Sequence, residues 1–431
     1  MSIPKLQLRF LVIGGGLAGI SAAISLARNG HHATVLEAQQ EFSEVGAGIQ
    51  IPPNATRILD QWGLTSQLLD YATSPHDIQF RSYRSGQVLS VTPLIPDVQT
   101  RYQSPHVVLH RADLLAVLVD EARRLNVELN TGCAAAEIDF SARTVRTVSG
   151  RVFTGDIIIG ADGEKSSARN LALGQDTAPE ATGRLVYRLT VKSAMMMTEQ
   201  STKGLVDPPR VTCWLGPDMH ILCYNLESRD VCNVVFTRAD DTPTQRRPPG
   251  PQPVPIDEMR RIFSDWDEPL RRMLDLAESA VYWPALKGRD INTWSHPSGS
   301  FILIGDAAHT MPPHLVQGAA QGIEDAACLA ELFEHVRSRS QIPDALELFQ
   351  EIRRARCQEI ATRAAKAAGV WALVDGPAQQ KRDQELLEQE PFDGYPNPFS
   401  DPKLQEWLYG YDLAKATREA WENSTKSPEP K

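Results

Sequence analysis

The sequence predicts an α/β fold of mixed α+β character, with a Rossmann-like nucleotide-binding domain, an interleaved antiparallel-sheet domain and C-terminal helices. Three observations predict it. A glycine-rich turn follows the first apolar strand, and two later apolar strands end in an Asp-Gly and a Gly-Asp pair. Between those two pairs lies a long β-rich segment. The chain is therefore expected to leave the first domain and return to it.

Composition limits the function classes. The 431 residues suffice for two or three domains, and a net charge of −10 argues against a nucleic-acid partner or an anionic membrane surface. The six cysteines show neither Cys-x-x-Cys nor a zinc-ligand spacing, so we expect reduced thiols, no metal and a cytoplasmic protein. Residues 10–27 resemble a signal peptide, but the glycine motif inside them explains them better. No stable membrane insertion is expected.

The first motif is a strand–turn–helix–strand unit. Arg9–Ile13 is predicted as a strand, Leu17–Asn29 as a helix and Ala33–Leu36 as a second strand. The intervening turn reads Gly-Gly-Gly-Leu-Ala-Gly. This order is that of a dinucleotide-binding fingerprint.

Each motif residue has a physical task in that fingerprint. Gly14 makes the tight turn, Gly16 lets the backbone approach a pyrophosphate, and Gly19 lets the helix pack on the strand. The helix N-terminus offers free N–H groups to the anion. Glu37, about twenty residues on, is placed to accept a hydrogen bond from a ribose hydroxyl.

Two further strand ends carry acidic residues. The strand Phe301–Ile304 is followed by Gly305-Asp306, a Pro-Pro loop and a helix that begins near Gln317-Gly318-Ala319. A carboxylate at a strand end suits a polyalcohol chain, and a helix N-terminus suits a flat ring, which together are typical of a flavin site. Residues 156–169 form an apolar strand, then Asp162-Gly163, then a Ser-capped helix.

The other elements follow from periodicity and turn residues. Residues 46–50 are expected to be a loop, and Pro243–Pro255, with six prolines, an irregular exit from the β-rich segment. Predicted strands are Asp77–Tyr83, Gln87–Val91, Arg184–Val191, Val211–Leu215, His220–Leu226 and Val231–Thr237, with shorter ones between Ala136 and Ile159. Predicted helices are Ala55–Trp62 capped by Asn54, Arg111–Leu125, helices within Ile256–Ala277, Ala345–Leu373 and Leu404–Trp421.

The ordered trio of motifs resembles class A, single-component FAD-dependent aromatic monooxygenases of the para-hydroxybenzoate and salicylate hydroxylase type. The resemblance runs from Arg9 to about Leu373, and the tail Trp407–Asp412 resembles fungal members of secondary metabolism. It implies FAD as cofactor and NADPH or NADH as a transient co-substrate. A flavin C4a-hydroperoxide formed with O2 would then hydroxylate, epoxidise or dearomatise an electron-rich phenolic or indole-type substrate, as in indole alkaloid biosynthesis.

The resemblance also implies a division of the chain. The FAD-binding domain would comprise residues 1–75, 106–180 and 291–380, the last including long helices. The substrate domain would comprise a hairpin at residues 76–105 and a β-sheet at residues 181–290. Residues 381–431 would form a C-terminal helix and tail. A monomer or homodimer is expected.

Family residues carry over onto matching positions. Asp306 would hold the ribityl hydroxyls, Gly318 and Ala319 would present N–H groups to the flavin ring, and Pro313 would turn its carbonyl toward the substrate. The full set expected at the cofactor is Gly14, Gly16, Gly19, Glu37, Gly48, Gln50, Arg111, Asp162, Gly163, Asp306, Pro313, Gly318 and Ala319.

Three residues of the β-rich segment are implied as catalytic. Arg188 and Tyr224 match positions at which fungal dearomatising members bind a phenolate or polarise the substrate. His220, four residues before Tyr224 on one strand face, resembles a histidine of the hydroxynicotinate monooxygenase branch and could act as a base. His309 and His314 are expected to be loop-packing residues.

Alternatives stay open at this point. Gln50 stands where the hydroxynicotinate branch has histidine, and the substrate could be a small salicylate-like acid or a bulky natural product. A related flavin enzyme without oxygen insertion, such as a halogenase or a reductase, is a second class, although Trp-x-Trp is absent. A Rab-escort-like binding module is a third. The single glycine fingerprint argues against a separate NAD(P) domain.

Overall fold

A computed structural model describes residues 6–43, 48–240 and 250–426. The strands are β1 (Arg9–Ile13), β2 (His32–Leu36), β3 (Gly48–Ile51), β4 (Asp77–Ser82), β5 (Val88–Pro93), β6 (Val107–His110), β7 (Glu128–Asn130), β8 (Ala135–Asp139), β9 (Thr144–Thr147), β10 (Val152–Thr154), β11 (Ile157–Gly160), β12 (Glu180–Lys192), β13 (Val211–Gly216), β14 (Met219–Leu226), β15 (Val231–Ala239), β16 (Gln252–Val254), β17 (Ala280–Lys287) and β18 (Phe301–Leu303). The helices are α1 (Leu17–Arg28), α2 (Pro53–Gln61), α3 (Thr65–Leu69), α4 (Gln99–Tyr102), α5 (Arg111–Arg124), α6 (Ser167–Leu173), α7 (Ser193–Thr198), α8 (Gln200–Lys203), α9 (Ile256–Ile262), α10 (Glu268–Asp275), α11 (Asp306–His309), α12 (Gly318–His335), α13 (Ile342–Trp371), α14 (Pro377–Glu388), α15 (Pro402–Tyr409) and α16 (Leu413–Lys426).

The nucleotide-binding half is built on a parallel sheet. Within the described ranges it has the strand order β18-β11-β1-β2-β7, and every neighbouring pair is parallel. The strands β1, β11 and β18 carry almost only buried apolar residues, as expected of the centre of a sheet covered on both faces. All three strand-end motifs therefore lie at the carboxyl edge of one sheet. The predicted α/β class is confirmed.

A second, larger sheet has the order β16-β17-β12-β15-β14-β13-β4-β5 among the described residues. Apart from the parallel β13–β4 pair, its neighbours are antiparallel. The predicted strands of the β-rich segment are all present, and the hairpin β4–β5 extends the same sheet. The helix α13 begins in the apolar core of the first half and ends with Trp371 in a core cluster of the second.

Two local predictions were wrong. Residues 48–51 are the strand β3 paired with β6, not a loop, while residues 46 and 47 lie outside the described ranges. Part of the proline-rich segment, Gln252–Val254, forms β16; Pro253 is tolerated because β16 is an edge strand. Residues 243–249 of the proline-rich segment lie outside the described ranges.

Two helix boundaries also differ from the predictions. Asn54 does not cap α2, because Pro52 is the N-cap and the buried Asn54 side chain bonds to Gln317 and Glu324 instead. The predicted helix Leu404–Trp421 is two helices, α15 and α16. The break follows from Gly410 at the end of α15 and from Asp412, whose carboxylate accepts the backbone N–H of Lys415 in the next turn.

The six cysteines all lie within the described ranges. All six cysteines are buried and free, in agreement with the prediction of reduced thiols. No helix in the described part of the chain is both long enough and apolar enough to cross a membrane.

Replacing Gly19 by alanine is predicted to destabilise the protein. A Cβ at Gly19 would lie 2.1 Å from the carbonyl oxygen of Gly14, so α1 would have to move away from the turn. We expect a loss of about 2 kcal/mol of unfolding free energy, measured by denaturant unfolding of the apoprotein. Gly204→Ala is the control, because nothing lies within 4 Å of the position that a Cβ would take there. Equal stability of the two variants would contradict the prediction.

Candidate active site

The first turn presents the N-terminus of α1 at the edge of the parallel sheet. Gly14 has φ +107°, and a Cβ there would lie 2.4 Å from the carbonyl oxygen of Ala161, so only glycine fits. Gly16 is the N-cap of α1, and no described side chain caps this helix. The first N–H groups of α1 are thus available to an anion.

Glu37 lies beside this turn, at the end of β2. Its Oε2 accepts the backbone N–H of Gly15 at 2.7 Å, and its Oε1 accepts that of Gln39 at 2.8 Å. A Cβ at Gly15 would meet Phe42 at 2.5 Å. The carboxylate is therefore fixed next to the glycine turn, as the ribose prediction requires.

The second turn places Asp306 close to α1. Gly305, with φ +57°, precedes it, and a Cβ at Gly305 would lie 2.7 Å from the Cβ of Ala18. Asp306 begins α11 and is half-buried. Glu164 faces the same carboxylate: burial raises the pKa of Glu164, and the charge of Asp306 raises it further.

The third contact surface is the N-terminus of α12. Its N-cap is the buried Gln317, whose side chain does not cap the helix but accepts hydrogen bonds from Asn54 at 3.0 Å and Gln321 at 2.8 Å. Gly318 and Ala319 follow as half-buried first residues. Their placement suits the predicted contact with the electron-rich edge of a flavin ring.

Asp162 is engaged within its own motif. Its carboxylate accepts the backbone N–H groups of Ser167 at 2.8 Å and Ala168 at 3.0 Å, together with both neighbouring serine hydroxyls. It therefore caps α6, and Gly163, with φ +79°, makes the preceding turn. Any contact of Asp162 with a cofactor must share the carboxylate with this cap.

The strand β3 brings Gly48 and Gln50 to the boundary between the two sheets. Gln50 is buried, and its Oε1 lies 3.0 Å from Nε2 of His106. Arg111 begins α5, directly after β6, the strand that pairs with β3. These residues thus lie together, although β3 is a strand where a loop was predicted.

A cavity of about 1810 Å³ lies between the second sheet, α13 and the segment Met311–His314. The sheet contributes a polar face that includes Arg184, Arg188 and His220. The α13 wall is made largely of small residues. Pro313 lines the cavity, in keeping with its predicted position beside the substrate.

Arg188 and Tyr224 belong to the same face of the sheet, and Asn233 lies between them. Arg188 Nε donates to Asn233 Oδ1 at 3.0 Å, and Tyr224 and Asn233 are cross-strand partners. A Cβ at Gly48 would lie 2.7 Å from the hydroxyl of Tyr224 and 3.0 Å from Asn233. The structure thus brings Arg188 and Tyr224 together at β3.

His220 has different neighbours. Its ring centroid lies 4.9 Å from that of His314 and 5.3 Å from that of Trp371. Burial lowers the pKa of His220 well below its usual value, and the nearby His314 and Arg184 lower it further. The imidazole is therefore neutral at ordinary assay pH and a weaker base than a free histidine. His314, predicted to be only a packing residue, lines the cavity.

Sequence reasoning missed several site residues. Asn233 carries a signal in hindsight, because it is a buried polar residue between the apolar Cys232 and Val234 of β15. His314 directly follows the predicted substrate-facing Pro313. Asn54 and Arg353 gave no local signal, because their partners are far away in the chain.

The residues present fit FAD. The N-termini of α1 and α12 have no side-chain caps among the described residues. They lie on either side of the close contact between Ala18 and Gly305. The carboxylate of Asp306 belongs to the turn between them. Together they offer anion, polyol and ring contacts in the order in which FAD presents these groups. The fold and this site define a flavin-dinucleotide-dependent enzyme.

Comparison with known proteins agrees. Residues 7–364 match the family described as FAD binding domain, and the chain belongs to it. The FAD-dependent monooxygenase OpS4 of Beauveria bassiana (strain ARSEF 2860) is 36% identical over 422 residues, 97% of this chain and 98% of that protein. The 3-amino-4-hydroxybenzoate 2-monooxygenase PtnB3 of Streptomyces platensis is 34% identical over 407 residues, 94% of this chain and 96% of that protein.

Solved structures show the same fold. A salicylate hydroxylase substrate complex superimposes with a TM-score of 0.79 at 25% identity, over 96% of this chain and 98% of that one. The protein is therefore an FAD-dependent monooxygenase of the class A type, as the resemblance implied.

Gly16→Val and Asp306→Ala are predicted to give largely colourless protein. The valine would obstruct the approach of the pyrophosphate to α1, and the alanine would remove the acceptor for the ribityl hydroxyls. Flavin content is measured by visible absorbance per chain after purification. Gly204→Val and Asp257→Ala are matched controls that should stay yellow, because nothing lies within 4 Å of the Cβ position at Gly204 and the Asp257 side chain is 80% exposed. Full flavin content in both test variants would show that the cofactor lies elsewhere.

Proposed function

We propose that the protein uses NAD(P)H and O2 to insert one oxygen atom into a phenolic aromatic substrate, preferably one that carries an acidic group. The cavity carries this proposal, because the sheet face that lines it includes a cationic side chain, Arg188, whose partner Asn233 lies beside the predicted flavin contact Gly48. FAD, when bound, would supply the chemistry of hydride acceptance from NAD(P)H and of O2 activation. The hydroperoxide predicted from the resemblance stays a prediction.

The named activities of relatives support an aromatic substrate. PtnB3 is named for the 2-hydroxylation of 3-amino-4-hydroxybenzoate, and two further relatives are named 3-hydroxybenzoate 6-hydroxylases. The salicylate hydroxylase structure is a substrate complex. OpS4 of Beauveria bassiana is named only as an FAD-dependent monooxygenase. An aromatic acid or phenol is thus favoured over the indole-type substrate.

The sheet residues support a division of roles. Arg188 would bind the anionic group, because a charge-assisted hydrogen bond contributes about 1.5–3 kcal/mol. Burial raises the pKa of Tyr224 well above its usual value, so its hydroxyl stays protonated and would orient the substrate. His220, being neutral, would contact a substrate hydroxyl without acting as a strong base.

Arg188→Ala is predicted to lower kcat/KM by roughly a hundredfold, which corresponds to about 3 kcal/mol of lost transition-state binding. The FAD spectrum should not change. Tyr224→Phe should be milder and should divert reducing equivalents to hydrogen peroxide. Steady-state NAD(P)H oxidation with product quantification measures both effects, using 3-amino-4-hydroxybenzoate, salicylate and 3-hydroxybenzoate as probes. Lys192→Ala, at the exposed end of β12, is the control. Wild-type coupling in both variants would place the substrate elsewhere.

Flavin reduction is predicted to depend on substrate. Without an aromatic ligand, NAD(P)H oxidation should be slow, and a productive ligand should accelerate it by about tenfold or more. Stopped-flow absorbance of the flavin under anaerobic conditions measures the reduction step. Fast reduction without ligand, with stoichiometric hydrogen peroxide once air is admitted, would indicate an oxidase-like enzyme.

A further inference from the structure

A network of buried charges lies under the cofactor site, and Arg353 of α13 is at its centre. The Arg353 side chain is fully buried. Its Nε donates to Asp325 Oδ1 at 2.7 Å, and its Nη1 donates to Glu324 Oε2 at 2.6 Å. The second terminal nitrogen donates to the side-chain and backbone oxygens of Gln321. One guanidinium thus holds two successive carboxylates of α12.

The Asp325 carboxylate connects this network to the Gly-Asp turn. Its Oδ2 accepts the backbone N–H of Gly305 at 2.9 Å and lies 2.6 Å from Nε2 of His309. Gly305 has φ +57° and directly precedes Asp306, and His309 ends the same short helix. Asp325 therefore fixes both ends of the segment that presents Asp306.

The Glu324 carboxylate connects the network to the N-terminus of α12. Its Oε1 accepts the side-chain amide of Asn54 at 2.6 Å, and the same amide donates to Gln317 Oε1 at 3.0 Å. Gln317 is the N-cap of α12, immediately before Gly318. Asn54 lies in α2, which follows β3. Glu324 thus joins α2 to the predicted flavin-ring contact.

Ion pairing stabilises the charged form of both carboxylates. Burial opposes ionisation, but Arg356 and Arg353 outweigh it and lower the pKa of Glu324 to about 2. For Asp325, His309 and Arg353 likewise outweigh burial and lower the pKa to about 2.

The ligand atoms of His309, Asp325 and Cys357 lie within 4.8 Å of one another, a spacing that a metal ion can use. The guanidinium already bonded to Asp325 supplies the positive charge there.

We propose that Arg353 is a positioning residue for FAD, which fixes the Gly305-Asp306 turn relative to the N-terminus of α12 through Asp325 and Glu324. The inference rests on the proposed contacts of Asp306 with the ribityl chain and of Gly318 with the flavin ring. Both contacts must be available at once, and they belong to different segments of the chain. A displacement of about 1 Å between them would weaken cofactor binding strongly.

Arg356 provides a matched control on the same helix. It is also buried, and its Nε donates to Glu324 Oε2 at 2.9 Å. Its Nη2 donates to Glu324 Oε1 and to the backbone carbonyl of Leu408, and its Nη1 donates to that of Trp407, all at 3.1 Å. It therefore ties the C-terminal segment to Glu324 and makes no bond to Asp325 among the described residues. When Arg356 is removed, Arg353 still bonds to both carboxylates, so stability should fall while the Gly305 turn stays in place.

The experiment compares Arg353→Met with Arg356→Met. For each purified apoprotein, the melting temperature is measured first, and the dissociation constant of FAD is then measured by quenching of flavin fluorescence. Both variants should melt at lower temperature than the wild type. Arg353→Met should raise the FAD dissociation constant by about tenfold or more, and Arg356→Met should change it by less than about threefold. Neither measurement depends on turnover, so a failed substrate assignment would not affect the outcome.

Arg353→Lys keeps the positive charge and is the second test variant, to be used if Arg353→Met does not fold. A single ammonium cannot reproduce the forked bonding to two carboxylates, so this variant should also weaken FAD binding, by about threefold or more. The visible absorption bands of the bound flavin should shift in the same variants. Wild-type FAD affinity in the folded Arg353 variants would overturn the proposal. So would an equal loss of affinity in Arg356→Met, because that result would mean a general loss of stability.

Discussion

The cofactor site depends on one close contact between three elements. Ala18 of α1 contacts Gly305 of the Gly-Asp turn and Gly322 of α12. A Cβ at Gly305 would lie 2.7 Å from the Ala18 Cβ, and a Cβ at Gly322 would lie 3.0 Å from it. Because neither glycine has a side chain, α12 can approach α1 closely while both helix N-termini stay free of caps. The residues predicted to contact the pyrophosphate, the ribityl chain and the ring of FAD are thereby placed side by side. Larger residues at these positions would separate them.

The proposed substrate site is built differently, because its residues come from one face of the large sheet. Arg188 and Tyr224 come from different strands and meet at β3 through Asn233. His220 is on the same face but pairs with His314 and Trp371, which come from the cofactor half and from the end of α13. The cavity therefore has a cationic group, Arg188, and two neutral imidazoles, that of His220 on β14 and that of His314 packed against it. This arrangement suits an aromatic ring that carries one acidic and one hydroxyl substituent.

The sequence was sufficient wherever the cause is local. The glycine turn, the acidic strand ends and six of the eight strands of the large sheet were predicted, because positive φ, strand period and helix capping act over a few residues; β16 and β17 were missed. Prediction failed where distant partners decide the outcome. Asn54 has the composition of a helix cap, but Glu324, 270 positions away, binds its side chain. Arg353 reads as one of several arginines in a long helix until α12 is placed against it. His314 was classed as a packing residue because nothing in its own segment shows the cavity.

The proposed reaction is the transfer of oxygen from O₂ to an aromatic ring in the cavity beside the flavin site. The most direct measurement is turnover of the holoenzyme with NAD(P)H, isotope-labelled O₂ and an aromatic acid such as 3-amino-4-hydroxybenzoate, followed by mass spectrometry of the product. If the proposed reaction is correct, each product molecule carries one labelled oxygen atom, and one NAD(P)H is consumed for each. Product without label, or flavin turnover that yields only hydrogen peroxide with every aromatic acid and phenol tested, would contradict it.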